Sequence, residues 1–431
     1  VFSTESFHSL DAKTHNGSVP VFAQHILNLL KHVLSMRRMM LVLFLAMTAY
    51  YVYMLTHHRS HLADFRVYYG AATAFKDHSS MYGIPFGTEF GVTSGFYKYS
   101  PFACLPFIPF TFLSYPAASA LYYFITAFLI GYFTLRMADH WLPEGAAPNT
   151  LQRWWIPTLL ILLFLIDHLE RELILGNVNL LLLLMSLAIF TLHRAQRFYS
   201  AGIWLAILLL FKPHFAILLP YFIWRKSWKL LLTSALSIIA GLMAPAIWCG
   251  WGANLHLLDA WMHAISDHNQ ALFTSPNSIY GILHHLLLAG HGGSWLVPTV
   301  LLVVGSFFGV WLWQRRAKNP AGEIQWTEYF ILIALIPNLV HTDTEHFLWS
   351  WPILTMIIYR MWLNVDLRKS FITLILVLAW FPYALNSPDL FGKTWSHWCD
   401  AGGLLGVANL MIVCVGLWIE HRSTSASQLP A

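Results

Sequence analysis

The chain has 431 residues and a formal charge of +5, yet only 10% of its residues are charged and 57% are hydrophobic. Its mean hydropathy is +0.57, whereas soluble domains carry about 25% charged residues. This excludes a string of soluble domains. Because Lys and Arg fall in short clusters between apolar runs, the charge follows the positive-inside rule rather than marking a nucleic-acid surface.

Aromatic residues make up 16%, with 20 Trp, which suits many bilayer interfaces. Residues 1–20 are polar and show no signal-peptide cleavage pattern. Residues 21–36 set His and Lys31 against apolar residues at helical spacing and predict an interfacial helix. Arg37 and Arg38 precede the first span, 39–56, which puts the N-terminus in the cytoplasm. Residues 57–100 follow outside, and long ordered connections are usually functional. They open on a short surface helix, 64–76, and close on a Pro-marked return to the membrane.

Residues 101–135 hold two apolar stretches split at Ser114-Tyr115-Pro116, whose parity the charges leave open. A short run at 155–167 ends in the polar stretch Asp167 to Glu172, and a further span leads from Asn179 to about His193. Residues 200–224 have basic residues at both ends but length for one crossing only. The charge rule is met by two half-length helices meeting at Lys212-Pro213, which would turn Lys212 toward a watery cavity. One kinked helix with a snorkelling lysine is the alternative. Residues 230–247 lead out to a second external segment, 249–294, with an amphipathic helix at 254–266. Spans at 295–313, 328–340, 347–359, 370–386 and 403–419 complete the walk. The expected fold is all-α: one polytopic helical domain over 37–422, with about ten to twelve crossings, and a cytoplasmic tail at 423–431. The four cysteines have no metal spacing. Cys249 and Cys399 both fall outside, which leaves a disulfide between them open.

The polar residues of interest collect at the outer ends and loops: Asp64, Arg66, Lys98, Tyr99, Asn177, Asn179, Lys212, His268, Asn277, His341 and His346. Ionisable groups gathered at one membrane face mark a functional site. Asp64 reads either as a general base for a hydroxyl or as a solvated surface acid or helix cap. A lone Lys212 in apolar sequence needs an anion or water, and a phosphate would serve. Lys98 and Arg66 could add charge there or bind lipid headgroups. Asn177 and Asn179 could cap a helix or bind a ligand. His341 and His346 are spaced i, i+5, unlike the i, i+4 helical zinc pair, so no metal is expected. No nucleotide-binding loop is present.

The order of these features resembles glycosyltransferase family 87, polyprenyl-phosphate-mannose-dependent mannosyltransferases with a GT-C fold. The similar stretches are DFRVYYGAA at 64–72, Tyr82-Gly83, YKYSP at 97–101, Gly176-Asn177-Val178-Asn179, Ala201-Gly202 to Lys212-Pro213, Asn277-Ser278, and His341 to His346 ahead of Trp351-Pro352. One departure is Asn177 where the family often has Gln. The resemblance implies that Asp64 is the catalytic base and that Lys212, with His341 or His346, meets the phosphate of a polyprenyl-phosphate sugar. It implies no cofactor, a glycolipid or glycan acceptor, inversion at the sugar, and a cell-membrane enzyme with its site on the extracytoplasmic side. A secondary transporter, or a non-catalytic partner in envelope assembly, is the alternative.

Overall fold

The computed structural model describes residues 40–57, 62–89, 92–141, 155–269, 275–284, 296–316, 324–340, 343–368, 370–386 and 388–426. The interfacial helix expected at 21–36 lies outside them. The first elements are α1 (Met40–Thr56), α2 (Ala63–Lys76), an antiparallel hairpin of β1 (Pro85–Glu89) and β2 (Val92–Phe96), a 3-10 helix (Pro101–Phe112) and α3 (Tyr115–Trp141). Then come α4 (Trp155–Phe164), α5 (Ile166–Leu175), α6 (Asn179–Arg194), α7 (Phe198–Phe211), a 3-10 turn (Pro213–Ile217), α8 (Leu218–Trp224), α9 (Trp228–Met243) and α10 (Trp251–Asn269). The C-terminal half contributes α11 (Leu296–Arg316), α12 (Trp326–Leu339), a 3-10 helix (Thr344–Ser350), α13 (Trp351–Leu363), α14 (Phe371–Trp380), α15 (Lys393–Ala401) and α16 (Leu404–Ala426).

Among the described residues the fold is all-α apart from one hairpin, which the sequence did not announce. By length and composition three helices among the described residues can cross a membrane, and a fourth span exists if α5 and α6 form one bent pair. Seven other apolar helices among the described residues, of 10–17 residues, are shorter than a straight crossing needs. Helix length alone therefore does not reach the ten to twelve crossings expected, as about 20 residues are needed for each.

Proline explains several irregularities. Pro106 and Pro109 lie inside the helix at Pro101–Phe112. Each removes an N–H donor and blocks the preceding turn, and the segment winds as a 3-10 helix. The residue before a proline is pushed to extended geometry. Lys212 has φ −135° and ψ 104°, and the helix breaks there, ahead of Pro213. α7 can lie close to α9 because Gly202 has no side chain: a Cβ there would come within 2.6 Å of the Leu230 carbonyl oxygen.

The core around α2 is aromatic. Phe65 stacks on Tyr122 of α3 with ring centres 4.4 Å apart, and Tyr68 stacks on Phe107 at 4.8 Å. These contacts press the surface helix against the bundle. A buried ion network ties the far ends of α12 and α13: Glu328 meets Arg225 and Arg315, while Glu420 meets Arg315 and Arg360. All four cysteines are free, so Cys249 and Cys399 do not pair.

Candidate active site

The site is assembled where helices stop. α5 ends at Leu175, and Gly176 takes the left-handed conformation at φ 65°, which glycine adopts without steric cost. The chain then turns by 112° into α6. A Cβ on Gly176 would lie 2.8 Å from the Phe65 Cβ, so the bare turn is what lets this bend abut α2 one residue from Asp64.

Asp64 sits in the first turn of α2, where the helix dipole favours a carboxylate. The N-cap is Leu62, not Asp64, and the Asp64 side chain instead accepts a hydrogen bond from Asn177 Nδ2 at 2.5 Å. The same Nδ2 donates to Glu345 Oε1 at 3.4 Å. Asn177 Oδ1 accepts from the Val178 N–H at 2.7 Å and from the Tyr68 hydroxyl at 3.5 Å. One amide thus spans two carboxyl groups on different elements.

Two residues on, Asn179 opens α6. Its Oδ1 accepts from Lys212 Nζ at 2.8 Å. Lys212 is buried, with Nζ 2.5 Å from His346 Nε2, 5.4 Å from the Trp349 ring centre and 5.9 Å from that of Tyr99. An ammonium only donates, so His346 Nε2 is the acceptor. The ring proton then sits on Nδ1, which donates to the Asp343 carbonyl at 3.1 Å. This assigns His346 as neutral. Around Lys212 stand the carboxyl groups of Glu345, Asp64, Glu172 and Asp343.

Glu345 lies on the 3-10 helix and is 4% exposed. Burial first, and then Asp343 and Asp64, push its carboxyl up to about 8. The Tyr99 hydroxyl pairs with that of Tyr68 at 2.9 Å. Burial, reinforced by Asp64, holds the Tyr99 phenol far above its usual range.

Asp343, Glu345 and His346 bring ligand atoms within 4.8 Å of one another and are the residues that could hold a metal. Both His346 nitrogens are already engaged, one of them by a cation. A divalent ion there would have to displace Lys212 from His346 against like charge.

The structure thus brings together Asp64, Tyr99, Asn177, Asn179, Lys212 and His346. Other expected residues lie elsewhere. The Arg66 guanidinium lies over the Tyr115 ring at 4.8 Å. Lys98 is exposed, and its carbonyl receives the Trp261 indole N–H at 3.2 Å. Asn277 is buried in a separate network: its Oδ1 accepts the Gly406 N–H at 3.1 Å, and its carbonyl accepts from Asn338 at 3.0 Å. His268 belongs to α10, but its side chain is outside the described positions, as is all of His341. Sequence reasoning missed Glu345, Glu172 and Tyr68. The first two sat within polar runs already singled out, where the histidines and asparagines drew the weight.

An acid and a buried cation, each held by an amide of one turn within an apolar helical bundle, make a candidate group-transfer site. The chain belongs to glycosyltransferase family 87, whose profile matches residues 96–337. That stretch contains Asn177, Asn179 and Lys212 but not Asp64, Glu345 or His346. Two curated relatives are both named polyprenol-phosphate-mannose-dependent alpha-(1-2)-phosphatidylinositol mannoside mannosyltransferase. The one from Mycobacterium tuberculosis is 24% identical over 397 residues, covering 88% of this chain and 90% of the relative. The one from Mycolicibacterium smegmatis is 24% identical over 389 residues, covering 84% of each. No solved structure gives a significant match. The protein is therefore a glycosyltransferase, which sets aside the transporter and assembly-partner alternatives.

Proposed function

We propose that this protein moves mannose from a polyprenyl-phosphate carrier to a hydroxyl of a glycolipid or glycan, with inversion, on the extracytoplasmic side of the cell membrane. The carrying observation is that Asp64 and Lys212 are held by Asn177 and Asn179 of a single turn. Asp64 takes the proton of the acceptor hydroxyl, and the oxygen forms its bond to the anomeric carbon. The bond from that carbon to the phosphate oxygen breaks, and its electron pair leaves with the phosphate. The phosphate gains one negative charge in this step, which the Lys212 ammonium offsets. Such a group acts most strongly where charge develops, in the transition state. Both relatives are named for this donor and for a phosphatidylinositol mannoside acceptor, which supports the choice of sugar carrier and of a lipid-borne acceptor.

The test is incubation of purified protein with radiolabelled polyprenyl-phosphate mannose and candidate glycolipids. Wild type should give a labelled glycolipid. Asp64→Asn should keep its fold and donor binding while losing about 10²–10⁴ in turnover, the usual worth of a general base. Undiminished transfer by that variant would remove Asp64 from the mechanism.

A further inference from the structure

Glu172 is fully buried in the last turn of α5, and the reaction above gives it no part. Its Oε1 accepts the Leu180 N–H at 2.8 Å, reaching across the bend to one of the open donors at the start of α6. Asn179 lies beside that donor. Its amide orientation is fixed from the far side: Lys212 can only donate, so Oδ1 must face the ammonium and Nδ2 must point away. Among the described residues, Asn179 Nδ2 and Glu172 Oε2 are both buried without a hydrogen bond. One is a donor and the other an acceptor. The Asn179 side chain nevertheless lies close enough to act as a hydrogen-bond donor to the Glu172 carboxyl and to favour its charged form, at a looser geometry than the Leu180 bond. A small closing movement would satisfy both buried groups fully.

We propose that Glu172 is the positioning residue of the donor-phosphate site: one carboxylate oxygen holds the start of α6, and the other receives the Asn179 amide, which aims Asn179 Oδ1 at Lys212. The assignment rests on the reading of Lys212 as the phosphate ligand. It depends on Glu172 having two acceptor oxygens for two donors. Glutamine has the same size but only one acceptor, so it must abandon either Leu180 or Asn179. Aspartate is shorter but keeps both acceptors. A residue that merely filled space would prefer glutamine.

The experiment titrates a short-chain polyprenyl-phosphate mannose against the full-length protein at saturating glycolipid acceptor, for wild type, E172Q, E172D, N179A and E172Q/N179A. E172Q should lower kcat/KM for the donor tenfold or more and leave the acceptor KM unchanged. E172D should lie closer to wild type than E172Q. The double variant should lose no more than N179A alone, because both changes remove one interaction. Donor kinetics of E172Q within twofold of wild type, E172Q outperforming E172D, or losses that multiply in the double variant would each overturn the assignment. If E172Q does not fold, the comparison of E172D with N179A and the E172D/N179A double variant decides by the same rule. Failure of the underlying reaction looks different: wild type then yields no product at any donor concentration.

Discussion

Replacing Lys212 with methionine separates two energies that usually change together. Met keeps an unbranched stem of similar length between the Tyr99 and Trp349 rings, whose centres lie 5.9 and 5.4 Å from the ammonium. It removes the charge and the bonds to Asn179 Oδ1 and His346 Nε2. Those two buried acceptors then cost about 1–3 kcal/mol each. Against this, a buried ammonium no longer has to be taken out of water, a relief of several kcal/mol in typical proteins. The terms oppose each other, so thermal stability should shift little. Transfer has no such offset. A unit charge about 4 Å from the phosphate is worth roughly 4 kcal/mol at an effective dielectric of 20, and the phosphate carries its full extra charge only as the sugar leaves. The expected loss in kcat/KM for the donor is about 10²–10³, at 1.36 kcal/mol per decade. Initial rates with radiolabelled donor, paired with thermal melts of the same preparations, measure both quantities. A Lys212→Met enzyme within fivefold of wild type would refute placement of the phosphate at this ammonium.

Three further outcomes follow from the geometry. An ordinary glutamate titrates near 4.5, but the Glu345 carboxyl is pushed up to about 8. Between these values the folded protein holds a proton that the unfolded chain has released, so stability falls as pH rises through that window and levels off above it. Glu345→Gln should flatten the dependence of Tm on pH between about 5 and 8, and a wild-type melting curve already flat there would remove the basis of this expectation. Gly176→Ala forces a residue with a side chain to φ 65° and sets its Cβ 2.8 Å from Phe65, whereas Gly83→Ala meets similar backbone strain at φ 72° with nothing within 4 Å. Each should lose about 1–2 kcal/mol of stability, but Gly176→Ala alone should lose transfer, and equal activities in the two would show that the bend need not touch α2. Asn277→Ala deprives the Gly406 N–H of its acceptor and should lower stability by about 1–3 kcal/mol with donor KM unchanged. A raised KM at constant Tm would return Asn277 to substrate binding.

What the sequence disclosed, and what it withheld, follows from the physics of a chain in lipid. Lys212 was legible because an ammonium beside proline in apolar sequence cannot be left without a polar partner, and the break at that residue follows from the proline alone. Asn177 and Asn179 were legible as amides at a helix start. Glu345 and Glu172 were not, because sequence does not reveal which acid of a polar run is buried. Asp343 is exposed and Glu345, two residues later, is buried, and only the packing of the 3-10 helix decides between them. Arg66 and Lys98 were read as cations near the site, but charge does not give direction, and the Arg66 side chain turns to Tyr115 instead. The residues that did converge share one property: each lies at or beside an interruption of helix, at the start of α2, the approach to the 3-10 helix at Pro101, the bend after Leu175, the break at Lys212, or the segment after α12. An interruption frees backbone donors and acceptors, which hydrocarbon cannot satisfy. Interruptions in an apolar bundle are therefore driven to one another and toward water, and they carry their neighbouring polar side chains with them. The constraint that breaks must cluster would on this view assemble Asp64, Asn177, Asn179, Lys212 and Glu345 even before any substrate is considered.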